Sequence, residues 1–167
     1  MQLRVAFVSL ALVVSLSGFG GNDTITTTDT ATPTPSPVTA TVGGVSAEGS
    51  TATAVPSPDA AYQWSATFTV TLTETAGVAT TVRSLAATLQ QAAGGIIITP
   101  PSGLAESYRY NVRAGTNQLG ANGTLPLDFD FFYTLPNGGR QALVTITFTL
   151  VNANGAQSQL VATVNVV

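Results

Sequence analysis

Residues Tyr62 to Thr73 read Tyr-Gln-Trp-Ser-Ala-Thr-Phe-Thr-Val-Thr-Leu-Thr. Every even position is apolar or aromatic, and every odd one is Gln, Ser or Thr. Successive side chains of an extended chain point to opposite faces, so this period of two predicts a strand with one core face and one wet face. A helix would scatter the same residues around its axis. The pattern recurs. Tyr108, Tyr110 and Val112 alternate with Arg109, Asn111 and Arg113, and Leu127, Phe129, Phe131 and Tyr133 alternate with Asp128, Asp130 and Phe132.

Other segments complete the pattern. A first strand is expected within Val45 to Val55, a partner for the Tyr62 strand from Val78 to Leu89, and a short strand at Ile96-Ile97-Ile98 before Pro100-Pro101. A hairpin over Arg140–Asn152 and Ser158–Val167 turns at Asn154-Gly155, a pair that supplies the positive φ of tight turns. Residues 84–93 admit two readings. Leu85, Leu89 and Ala92 fall at helical spacing, whereas β-branched Thr80, Thr81 and Val82 favour a strand, the reading adopted. Seven or eight short strands without a long helix predict an all-β fold, an antiparallel two-sheet sandwich over residues 43–167.

Residues 1–42 have a different composition. Arg4 is followed by a run from Val5 to Leu16 that is apolar but for Ser9 and Ser15, and small residues come next. That run has the length of a signal-peptide core and falls short of the roughly 20 residues that span a bilayer. Residues 1–21 are therefore read as a signal peptide. Residues 22–42 are Thr-, Pro- and Ser-rich, with Thr-Pro-Thr-Pro-Ser-Pro at 32–37. A segment so poor in large apolar side chains cannot offset its ordering entropy, and it reads as a disordered, extended spacer.

Composition removes several functions. The chain has no Cys, His or Lys, only five Arg, and a net charge of -3. Nucleic-acid binding needs clustered cations, so it is discounted. Ser–His, Cys–His and Ser–Lys catalysis and imidazole or thiolate metal sites lack their residues. Asp128 and Asp130, two apart on one strand, point the same way about 7 Å apart. They are the one weak Ca²⁺ candidate, and their position opposite Leu127, Phe129 and Phe131 fits a solvated outer face better. Glu48, Glu74 and Glu106 read as solvated singles. Arg109 and Arg113 could pair with Asp128 and Asp130 across strands. Tyr62, Trp64, Tyr108 and Tyr110 fall on the core phase, which leaves Phe132 as the exposed aromatic.

Two resemblances follow from quoted residues. Thr71-Leu72-Thr73-Glu74-Thr75-Ala76-Gly77-Val78-Ala79-Thr80 and Leu119-Gly120-Ala121-Asn122-Gly123-Thr124-Leu125 resemble turn and strand signatures of bacterial exported immunoglobulin-like and fibronectin-III-like modules. Leu16-Ser17-Gly18 before Gly20-Gly21-Asn22-Asp23 resembles a lipoprotein start in which Phe19 stands where the lipidated Cys belongs. The resemblances imply a non-catalytic, cofactor-free module of the cell envelope or the exterior: a spacer, adhesive or partner-binding domain. The partner would be an envelope protein or a polysaccharide, and the alternative is a carbohydrate-binding module. Membrane contact would run only through the N-terminal segment, if that stays uncleaved.

Phe19 gives this reading a direct check. Phe19→Cys restores the thiol that a lipoprotein start requires, so the variant is expected to incorporate radiolabelled fatty acid where the parent does not.

Overall fold

The computed structural model describes residues 40–93, 96–99 and 105–167. The expected signal peptide and most of the expected spacer lie outside the described residues. Eleven strands are present among those described: β1 Ala40–Val42, β2 Val45–Gly49, β3 Val55–Pro56, β4 Trp64–Glu74, β5 Thr80–Ala93, β6 Ile96–Ile97, β7 Ser107–Arg113, β8 Gln118–Leu119, β9 Thr124–Thr134, β10 Ala142–Asn152 and β11 Gln157–Val166. Seven of these have five residues or more, in line with the expected seven or eight. Residues Ala40–Val42, expected to be spacer, pair as β1 with β2 across Gly43-Gly44.

The strands form an all-β two-sheet sandwich. One sheet runs β1-β2-β4-β9-β7, with β3 also on β4, and the other runs β11-β10-β5-β6, with β8 also on β5. Strand neighbours pair antiparallel. In the first sheet Phe68 lies opposite Phe129 and Val70 opposite Leu127. In the second, Phe148 lies opposite Leu160 and Val144 opposite Val164. All eight of these side chains are buried.

The inner face of the first sheet is a run of stacked rings. Phe68 lies 5.3 Å from Phe129 and 5.6 Å from Phe131, and Tyr110 lies 5.2 Å from Phe131. Centroid spacings in this range give ring pairs a gain beyond their buried area, and truncating one buried Phe to Ala costs about 3–5 kcal/mol. Trp64 is half-buried against this core, and its indole N–H is buried without a hydrogen-bond partner.

The edge of the sandwich is closed by one segment that visits both sheets. Ser50 N–H donates to the Thr69 carbonyl on β4; Ala52 then exchanges bonds with β11, donating to Asn165 and accepting from Val167 N–H at 2.9 Å. Val55 and Pro56 return to β4. The crossing needs glycine at 49, because a Cβ there would lie 2.6 Å from Cγ2 of Val164.

Residues 84–93 are strand, part of β5; Ala92, which completed the helical spacing with Leu85 and Leu89, is buried where the pairing of β5 passes from β10 to β6. Leu150 faces Val82 but Thr149 faces Ser84, so Arg83 is a bulge. One extra residue flips the phase, and buried positions pass from Thr80 and Val82 to Ala87 and Leu89. The β10–β11 hairpin turns as expected: Gly155 has φ 81°, and Asn152 Oδ1 accepts from the Asn154 and Ala156 amides at 3.0 and 2.9 Å.

Tyr133 ties the β9–β10 connection. It is fully buried, and its hydroxyl donates to the Arg140 carbonyl at 2.7 Å. Burial pushes the phenol up from 10.0 to about 12, with Arg140 pulling weakly the other way. A group whose pKa is raised on folding gives stability that is full below its unfolded value and lost as pH rises through the folded one. Denaturant midpoints should therefore fall between pH 10 and 12. Tyr133→Phe should cost about 1 kcal/mol at neutral pH and flatten that alkaline slope.

Candidate functional site

The outward face of the β2-β4-β9-β7 sheet carries Glu48, Arg109, Arg113, Asp128 and Asp130. Asp128 and Asp130 stand on β9 with their side chains outward, as expected. Asp128 Oδ1 accepts from Thr69 Oγ1 at 2.7 Å, and Asp130 Oδ1 accepts from Thr67 Oγ1 at 3.2 Å. Arg113 pairs with Asp130 at 3.2 Å. No group of three or more His, Cys, Asp or Glu able to hold a metal ion occurs among the described residues; the side-chain contacts of the two aspartates are with hydroxyl and guanidinium groups.

Two expectations for this face need correction. Arg109 pairs with Asp59 at 2.7 Å, in place of a β9 aspartate. Tyr62 does not join the core. It precedes the first residue of β4, its N–H closes a turn onto the Asp59 carbonyl, and its ring lies 6.4 Å from Phe132 on the outer face at an interplanar angle of 46°. The Arg109 guanidinium carbon sits 4.5 Å above the Phe132 ring centre and 5.9 Å from that of Tyr62. Strand alternation could not announce this, because Tyr62 belongs to a turn. Tyr108 keeps the core phase and donates its hydroxyl to the Ala87 carbonyl of the other sheet at 3.1 Å.

A shallow depression of about 180 Å³ lies on the same face, lined by Glu48, Gly49, Ser50, Thr69 and Thr71. A larger open cleft of about 490 Å³ lies at one end of the sandwich, between Thr116, Gln118 and Leu119 on one side and Val151 and Asn152 on the other. Its lining holds hydroxyls, amides and aliphatic groups and no ionisable side chain.

Glu74 is buried, contrary to its reading as a solvated single. Its carboxylate accepts backbone N–H bonds from Ala76 at 2.7 Å, Gly77 at 3.0 Å and Asn122 at 2.7 Å. The first two complete its own turn, and the third fastens the segment before β9 to the end of β4. The Asn122 N–H, ahead of the other amides, holds the carboxyl below its ordinary value, while burial works against it. The Glu-Thr-Ala-Gly turn was visible in sequence; its distant partner was not.

No family model matches the chain, and no curated protein does. Several solved structures are similar at low identity. An X-ray structure of a Northeast Structural Genomics Consortium target is 10% identical with a TM-score of 0.48, covering 72% of this chain and 82% of that one. The secreted serine protease VesC from Vibrio cholerae is 10% identical with a TM-score of 0.36, covering 61% of this chain and 19% of that one. The GAE domain of GGA2p from Saccharomyces cerevisiae is 11% identical with a TM-score of 0.36, covering 77% and 94%.

The Glu74 geometry fixes a pH response. A carboxyl whose pKa is lowered on folding gives stability that is present above the unfolded value and lost as pH falls through the folded one. Thermal melts should therefore lose stability as pH drops below 4.5. Glu74→Gln places an amide donor against backbone donors, so it should lower Tm at neutral pH and weaken the acid dependence.

Proposed function

We propose that the protein is an exported, non-catalytic module of immunoglobulin-like or fibronectin-III-like type that serves as a spacer, adhesive or partner-binding domain at the cell envelope or outside the cell. The observation that carries this reading is the strand order. Taken in chain order, β2, β4, β5, β7, β9, β10 and β11 occupy the places of strands A to G. The order β2-β4-β9-β7 opposite β11-β10-β5 then matches A-B-E-D opposite G-F-C, the arrangement of constant-type immunoglobulin sandwiches. Such a frame has a filled interior and presents its faces and end loops to partners. The signal-like and lipoprotein-like start supports delivery to the envelope.

A carbohydrate-binding role is the second reading. It gains support from Tyr62, which joins Phe132 on the outer face and gives that face two rings.

Fractionation of the native host tests the first reading. The mature chain is expected outside the cytoplasm, with an intact mass that places its first residue between about Ser17 and Gly21. A cytoplasmic form that keeps Met1 would overturn it.

A further inference from the structure

We propose that the free edge of β7 pairs with the same edge of a second copy of the chain. The two β7 strands run antiparallel about a two-fold axis at Tyr110, and the two β2-β4-β9-β7 sheets become one. Such pairing goes beyond the module reading above and does not depend on export.

β7 ends its sheet, with β9 on one side and no described strand on the other. The direction of its backbone groups follows from the register. Glu74 N–H donates to the Gly123 carbonyl at 2.9 Å, one step beyond Thr73 opposite Thr124. Bonded pairs alternate along an antiparallel ladder, so the odd residues of β9 bond to β4 and the even ones turn to β7. Their partners on β7 are Ser107, Arg109, Asn111 and Arg113. Tyr108, Tyr110 and Val112 therefore point N–H and C=O away from the sheet. None of these groups has a partner among the described residues.

The side chains of the same three residues are incompletely covered. They pack against the core yet are only half-buried, whereas Phe129 and Phe131 beside them on β9 are fully buried. Edge strands are normally guarded by Pro, a bulge, an inward charge, short length or a covering segment. The segment at Ala52 covers β11, β8 and β6 pair with the ends of β5, and β1 and β6 have three and two residues. β7 has seven residues, with no Pro, no bulge and no charge facing inward.

The occupant is a second copy because this edge is complementary to itself. With Tyr110 opposite Tyr110 of the second copy, Tyr108 lies opposite Val112, and these residues exchange about six N–H···O=C bonds. On the outward face Arg109 then lies opposite Asn111, and Ser107 opposite Arg113. Like charges directly opposite each other would destabilise the pair, and this register has none. A shift of two residues, the smallest that keeps the backbone groups matched, puts Arg109 opposite either Arg109 or Arg113. Only the register centred on Tyr110 joins all three inward residues and keeps the arginines apart. Each arginine also has a carboxylate within its own chain, Asp59 at 2.7 Å and Asp130 at 3.2 Å.

The test is sedimentation equilibrium of the chain isolated from its native host, from about 1 µM to about 1 mM, a range that spans weak to moderate contacts. A reversible monomer–dimer equilibrium is expected. Asn111→Lys sets a cation opposite Arg109 of the second copy and should raise the dimer Kd by about tenfold. Within its own chain position 111 faces Asp130, so the melting temperature of the dilute monomer should not fall. Ser107→Asp, opposite Arg113 of the second copy, should lower the Kd. The chain has no cysteine, so introduced thiols report the register directly. Positions 109 and 111 form a non-hydrogen-bonded pair with Cα atoms about 4.5 Å apart, within disulfide reach. A mixture of Arg109→Cys and Asn111→Cys chains should cross-link on oxidation far more than either variant alone. A chain that stays monomeric throughout the range, a dimer indifferent to both charge changes, or a mixture that cross-links no better than its parts would each overturn the pairing.

Discussion

The interlock of β4 with β9 is the constraint on which the rest of the molecule depends. Ten consecutive residue pairs, from Trp64 opposite Tyr133 to Thr73 opposite Thr124, fix this register. A slip of one residue would turn one strand's apolar set out to solvent, either Phe68 and Val70 on β4 or Leu127, Phe129 and Phe131 on β9. The stacked rings make that slip costly, because they occupy a core filled from the other side by Val144, Ile146, Phe148 and Leu150. Both outer faces take their composition from the same register: once the apolar set is inside, the Thr, Asp and Arg set is outside.

The chain has no cysteine, so its connections are held by polar side chains that reach backbone groups. Glu74 binds the segment before β9, Tyr133 the β9–β10 turn and Tyr108 the opposite sheet. The two tyrosine bonds are each worth only about 0.5–1.5 kcal/mol net. Their stronger effect is through what they would leave behind, since a buried donor or acceptor without a partner costs more than the bond contributes. The Arg109–Asp59 pair is different. Its side chains are 45% and 35% exposed, so it contributes little to stability.

A frame of this order leaves function to its surfaces, because the interior is filled with side chains. The two sheets divide the surface between them. One presents hydroxyls and small apolar groups, the other rings, carboxylates and guanidinium groups. On the first sheet, β7 and β9 set Arg109, Arg113, Asp128 and Asp130 on their outward positions, whereas β5, β10 and β11 carry only Arg83 among ionisable residues.

Sequence alone determined the seven longer strands, most of their inward residues and the hairpin at Asn154-Gly155. These follow from local geometry: side-chain direction in a strand is set by the residue's own backbone, and a turn by two or three neighbours. Tertiary structure alone decided the rest. Glu74 looked solvated because its partner Asn122 lies 48 residues away, and Arg109 looked paired to β9 because Asp59 lies 50 residues away. Tyr62 kept the alternation yet left the core, because the regular strand begins two residues later and the turn at Asp59 redirects its ring. Leu85, Leu89 and Ala92 also admitted a helix, because Ala92 is buried where β5 changes partner from β10 to β6, and such a change has no expression in β5 alone. Local periodicity tells each residue which side of its own strand it occupies; which partners wait on that side depends on contacts far along the chain, and these exist only once the two sheets have closed.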